Sequence, residues 1–155
     1  MAEKQQIYRL GERSRALPSQ LESVLSFWLQ KCAGRTMPFR DEFPTGELRP
    51  WLGHLALIEV SGDSHMFLRL SGTGLIRRFG REATGMQVDE LAGDISQQLR
   101  AILRAVMRAA APIVATSCVP LGRTTVWHCD VALPLATAAG RPGTVLFCSY
   151  PIREG

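Results

Sequence analysis

The sequence predicts an α+β fold: a five-stranded antiparallel sheet with helices on one face and an extra helix ahead of it. Three observations carry this. Two short apolar runs precede a set of short helical segments and one long amphipathic stretch, and three more strand-like runs close the chain. That order suits an antiparallel sheet with its helices gathered over one face, whereas a parallel sheet would need strands and helices to alternate. The length of 155 residues, with 46% hydrophobic and 21% charged residues, suits one core. Residues 1–36 read as an N-terminal segment carrying the flanking helix, and residues 37–155 as the sheet domain.

The first seventeen residues, MAEKQQIYRLGERSRAL, mix charges with few apolar positions. They contain neither the apolar centre of a signal peptide nor a membrane span, so a cytoplasmic chain is expected. Residues 18–34, PSQLESVLSFWLQKCAG, read as a helix. Ser19 and Glu22 stand at capping-box spacing, and Gly34 supplies a stop. Leu21, Val24, Leu25, Trp28, Leu29 and Cys32 form one apolar stripe, with Phe27 off its centre and suited to a second contact. Residues 37–53 hold three prolines and two glycines and read as an irregular connection with one helical turn near 47–52.

HLALIEV (54–60) and HMFLRLSG (65–72) flank the turn formers Ser61, Gly62, Asp63 and Ser64 and read as a β-hairpin. A brief helix over 74–79 and the loop REATGMQVDEL follow. DISQQLRAILRAVMRAAA (94–111) is the strongest helical pattern, with Ile95, Leu99, Ile102, Leu103, Val106, Met107 and Ala110 recurring at three and four. Asp94 stands at the expected N-cap and Pro112 ends the helix. The runs 112–121, 124–135 and 144–152 read as strands, joined by turns at 122–123 and 139–143.

The order of elements, together with PFRDEFP (38–44), LRPWLGHLALIEV (48–60) and FLRLSGTGLIRRFGREATG (67–85), resembles a PAS domain, the bacterial sensory and interaction module. More closely, the run over about 37–91 resembles a PAS-like family of small bacterial proteins. The order of elements matches over about 37–152, and the motifs over the first half of that span. The resemblance implies a sheet curled around its helices, with information leaving by contact rather than by turnover. It also implies dimerisation through the N-terminal helix, for which Leu21, Val24, Leu25 and Trp28 are the candidates. Candidates to line a cavity are Phe67, Arg69, Leu75, Phe79, Val106, Trp127 and Phe147. Haem is disfavoured, because haem-binding PAS domains carry a histidine on the long helix and residues 94–111 have none. Flavin is disfavoured too, because the photosensors carry a cysteine in the short-helix region and residues 71–91 have none.

The glycines at 72, 74, 80 and 85 do not form a nucleotide loop. A G-x-G-x-x-G beginning at Gly72 would need glycine where Arg77 stands, so these glycines read as turn residues. In the strand before them, Arg69 needs an anionic partner if it faces the core, and Glu59 could supply one. The net charge of +4 comes from 18 basic residues, nearly all arginine, spread along the chain. Arg100, Arg104 and Arg108 stack along the long helix, and Arg77, Arg78 and Arg81 could extend them. Without interleaved exposed aromatics this is a weak nucleic-acid signal, so an RNA-binding adaptor is a lesser alternative. The other alternative is a small cone-shaped enzyme with His128 and Asp130, on one side of their strand, as acid and base. Neighbours on a strand point opposite ways, so His128, Cys129 and Asp130 cannot converge on one metal without a bulge, and no metal site is expected. The four cysteines stand singly and read as reduced, buried apolar groups. The expected partners are a second copy, a signalling protein or a small ligand, and not a membrane.

Overall fold

The computed structural model describes residues 5–12 and 16–152. Helix α1 spans Ser19–Cys32. The hairpin forms as read, from β2 (Leu55–Val60) and β3 (Met66–Ser71). Helix α2 (Ile76–Phe79) continues a 3-10 turn at Thr73–Leu75, and α3 runs over Gly93–Ala109. Strands β4 (Ile113–Leu121), β5 (Thr124–Ala136) and β6 (Pro142–Pro151) complete the domain. The proline-rich connection folds into 3-10 segments at Arg40–Glu42 and Thr45–His54. No helix among the described residues is long and apolar enough to cross a membrane.

The sheet has six strands rather than five. Gln5–Arg9 forms β1, which pairs antiparallel with β4 from Gln5↔Ser117 to Arg9↔Ile113. The strand order is β1-β4-β5-β6-β2-β3. β1 lies at the edge and is largely exposed, so it carries no apolar face that the sequence could betray.

Both faces of the sheet are covered. Alternation along β5 and β6 sends Val131, Leu133, Leu146 and Cys148 to one side, where they pack on Leu21, Val24, Leu25 and Trp28 of α1. It sends Ala132, Val145 and Phe147 to the other, where they meet Leu75, Phe79, Leu99, Ile102 and Val106 beneath α2 and α3. Helices α2 and α3 gather over one face as expected, and the extra N-terminal helix α1 covers the opposite one. It is fastened there by the Trp28 indole, which donates to the Pro134 carbonyl at 3.0 Å, and by the Trp51 indole, which donates to Ser23 Oγ at 2.8 Å. Phe27 contacts the rings of Phe43 and Trp51, so its off-centre position serves the chain's own core.

The helix starts also differ from the sequence reading. Ser19 is already helical, with Pro18 at the N-cap and no side-chain cap. Asp94 lies in the first turn of α3, behind Ala92, where its charge still favours the positive helix end. Gly80 closes α2 with φ of 81°, its N–H on the Ile76 carbonyl at 2.8 Å. Gly72 is needed for a different reason. A Cβ there would run into the backbone carbonyls of Leu52 and Gly53, so the chain leaving β3 crosses the 45–54 segment at a distance only glycine allows.

Candidate functional site

On the α3 face, the cross-strand register brings Ser117, His128 and Pro151 into one row and Asp130 beside Ser149. Helix α2 delivers an arginine onto them. Leu75, Arg78 and Phe79 follow one another at spacings of three and one, so all three turn toward the sheet. Arg78 and Asp130 are both 0% exposed and form an ion pair, Nη2 to Oδ2, at 3.1 Å. Ser117 Oγ donates to the same carboxylate oxygen at 3.0 Å. Arg78 Nη1 also donates to Gln98 Oε1, and its guanidinium carbon lies 5.9 Å from the centre of the Phe147 ring. Phe147 stacks in turn on Phe79, with ring centres 5.8 Å apart.

The middle of the face is therefore filled. Leu75, Phe79, Val106 and Phe147, four of the seven cavity candidates, do come together, but they pack against one another in the core. The other three lie elsewhere. Phe67 pairs across the ladder with Glu59, on the side away from α3. Arg69 is exposed and holds Glu59 at 2.6 Å, so its expected partner is right but the pair stands at the surface. Trp127 alternates with His128 and so lies on the α1 side. The strand pattern separates these faces without saying which helix covers each.

Open space survives at one end of the face. A cavity of about 270 Å³ is lined by His54, Gly74, Arg77, Val119, Leu121, Val126, His128 and Pro151. Its walls are mainly apolar. The His54 ring stacks on Tyr150 at 4.3 Å and turns Nδ1 to the Ser149 carbonyl at 3.1 Å. His128 is only 5% exposed, and its Nδ1 has no hydrogen-bond partner among the described residues.

Burial lowers the pKa of His128 from its ordinary value; Asp130 opposes this and Arg78 adds to it. An unfolded His128 takes up a proton on acidification that the folded one resists. Stability should therefore decline as pH falls below about 6.5, with a slope of up to about 1.4 kcal/mol per pH unit from this one proton, and this dependence should be absent at higher pH. Denaturant unfolding of the wild type and of His128→Gln between about pH 7.5 and 5.5 measures it. The variant should lose that part of the slope, and equal slopes would contradict the assignment.

His128 and Asp130 share a face as read, but both Asp130 oxygens are engaged by Arg78 and one of them also by Ser117. The arginine row is likewise divided. Arg104 bonds Asp63 at 3.1 Å, and Arg78 leaves the surface altogether. Sequence reasoning missed Arg78, Gln98, Ser117 and His54. A signal for Arg78 was present in its spacing from Leu75 and its adjacency to Phe79.

The cysteines stand apart from this site. Cys32, Cys129 and Cys148 are buried on the α1 side, and Cys118 pairs with Trp127. Burial pushes the Cys32 and Cys148 thiols up in pKa, away from reactive thiolate, and raises Tyr150 to about 12. Leu21, Val24, Leu25 and Trp28, the candidates for a dimer contact, are buried on the chain's own sheet. Leu29, on the same helix, is 51% exposed.

Comparison with curated proteins finds no match. Among solved structures, an RNA-binding light-oxygen-voltage receptor superposes with a TM-score of 0.54 at 12% identity, over 97% of this chain and 39% of that one. The chain thus spans well under half the length of that receptor. A light-oxygen-voltage domain studied with a flavin analogue superposes with a TM-score of 0.53 at 13% identity, over 70% of this chain and 84% of that one. At such identity these likenesses speak for the fold alone. The family profile described as a PAS domain matches residues 16–148, which takes in α1 and every strand from β2 to most of β6. Sequence profile and fold agree across most of its length, and the chain belongs to the PAS domain family.

Proposed function

We propose that this PAS domain is a sensory and interaction module that takes a small apolar or amphipathic ligand at the His54–Arg77–His128 cavity. Occupancy then reaches a signalling protein or a second copy by contact. The carrying observation is the cavity itself, about 270 Å³ with mainly apolar walls and a few polar residues, His54, Arg77 and His128, among them. It touches β4, β5, β6, α2 and the entry to β2, so a ligand there bears on elements from both halves of the domain. A ligand that prefers one packing of these elements shifts their equilibrium by the difference in its affinity for the two.

Haem and flavin have no part in this reading. The space between α3 and the sheet holds Phe79, Phe147 and the Arg78–Asp130 pair. The four cysteines lie on or beside the α1 side. Catalysis by His128 and Asp130 is also set aside, because the carboxylate is already held by Arg78 and Ser117.

Native mass spectrometry of the chain purified from its source, paired with thermal melting against small apolar and amphipathic compounds, tests the proposal. We expect a bound mass or a rise in melting temperature that Val126→Phe, which narrows the cavity, abolishes. A response that Val126→Phe leaves intact would place the ligand elsewhere and refute the assignment.

A further inference from the structure

Resting on that assignment of the cavity, we propose that its occupant is a small monocarboxylate with one apolar body, held by Arg77 at the head group. Size, wall chemistry and charge each narrow the choice.

Size comes first. A cavity of about 150 Å³ holds one benzene, so space of this order takes roughly ten or eleven heavy atoms. The cavity of about 270 Å³ is too small for a nucleotide and larger than acetate needs.

The walls set the body. Val119 and Val126 face each other across β4 and β5, and His128 opposes Pro151 across β5 and β6, so these side chains rise from one face of the sheet. Leu121 extends the apolar wall to the mouth, where it is 39% exposed. A straight alkyl chain or one ring suits these walls. A polar body would leave its own groups without partners.

Charge sets the head. Exposed Arg77 is the arginine among the lining residues, and like Arg81, Arg100 and Arg108 it forms no ion pair among the described residues, so its charge is not already spent. No acid lines the cavity. Asp130, on the same face, is taken up by Arg78 and Ser117, so it neither competes for Arg77 nor repels an incoming anion strongly. His54 turns Nδ1 to the Ser149 carbonyl, and the tautomer that donates there leaves Nε2 as an acceptor. Arg77 is thus the cationic side chain of this lining, and its planar fork matches a carboxylate.

The experiment is calorimetric titration of the full chain with octanoate, octanol, octylamine and acetate at about pH 8, where an ordinary histidine is neutral. Octanoate should bind at least ten-fold tighter than octanol, with octylamine weaker still and acetate silent. Arg77→Gln, an exposed substitution, should weaken octanoate ten-fold or more and octanol by less than about three-fold. Equal binding of octanoate and octanol, or octanoate binding indifferent to Arg77→Gln, would overturn the carboxylate while leaving the cavity assignment standing. Silence from all four compounds would overturn both.

Discussion

Arg78→Met should cost about 3–5 kcal/mol of folding stability, the effect expected when one member of a buried ion pair is removed and the other is left without compensation. Asp130 is the abandoned charge. It lies at 0% exposure beneath α2, and Ser117 Oγ at 3.0 Å is its remaining side-chain donor among the described residues. Asp130→Leu should cost a similar amount, because it strands the guanidinium among Phe147, Phe79 and Gln98. The two effects should not add. With both charges removed in Arg78→Met/Asp130→Leu, the deficit should shrink to well below the sum of the singles, since apolar replacements of similar size fill such sites at little cost. Denaturant unfolding of the four proteins measures this. A double variant as unstable as the sum would mean that the two residues act independently and that the pair is not the unit described above.

Trp28→Ala should be comparably severe, at about 3–5 kcal/mol, for loss of a large buried side chain and the cavity it leaves. Trp28 is 2% exposed at the centre of the α1 stripe, and its indole N–H reaches the Pro134 carbonyl. Trp28→Phe keeps most of the buried surface and gives up that bond, so about 1–2 kcal/mol is expected. Leu29→Ala, on the exposed side of the same helix, should change stability by under about 0.5 kcal/mol. Domains of this kind are stable by only about 5–15 kcal/mol, so Trp28→Ala should take a large share of the total. If Trp28→Ala and Leu29→Ala had equal effects in chemical denaturation, α1 would not be anchored to the sheet through Trp28.

These two sites mark where the sequence was legible and where it was not. Period-two and period-3.6 patterns are local, and they found the β2–β3 hairpin, α3 and the last three strands because each has a clean apolar side. The same patterns cannot say which side of a sheet a helix will cover. The stripe on α1 reads alike whether it meets a second copy or its own strands, and it meets Val131, Leu133 and Leu146. Phe147 and Trp127 both read as cavity residues, yet the ladder puts Phe147 level with Ala132, an odd number of steps from Trp127, so they face opposite ways. Arg78 was hidden by its charge, since arginine beside Arg77 reads as surface until Asp130, 52 residues on, is brought to it. Strand β1 was hidden by exposure, because an edge strand needs only one backbone ladder and no apolar face.

That edge strand sets how the sheet can grow. At the β3 end, the 85–87 segment already turns back on the strand, with Leu68 donating to the Met86 carbonyl and Gly85 to that of Leu68. At the other end, β1 has its only ladder among the described residues on β4. A sheet stoppered at one end and open at the other can add one neighbour there and no more. Two copies meeting head to head along β1 would consume each other's free margin, so accretion by this route halts at a pair instead of running on into a fibre.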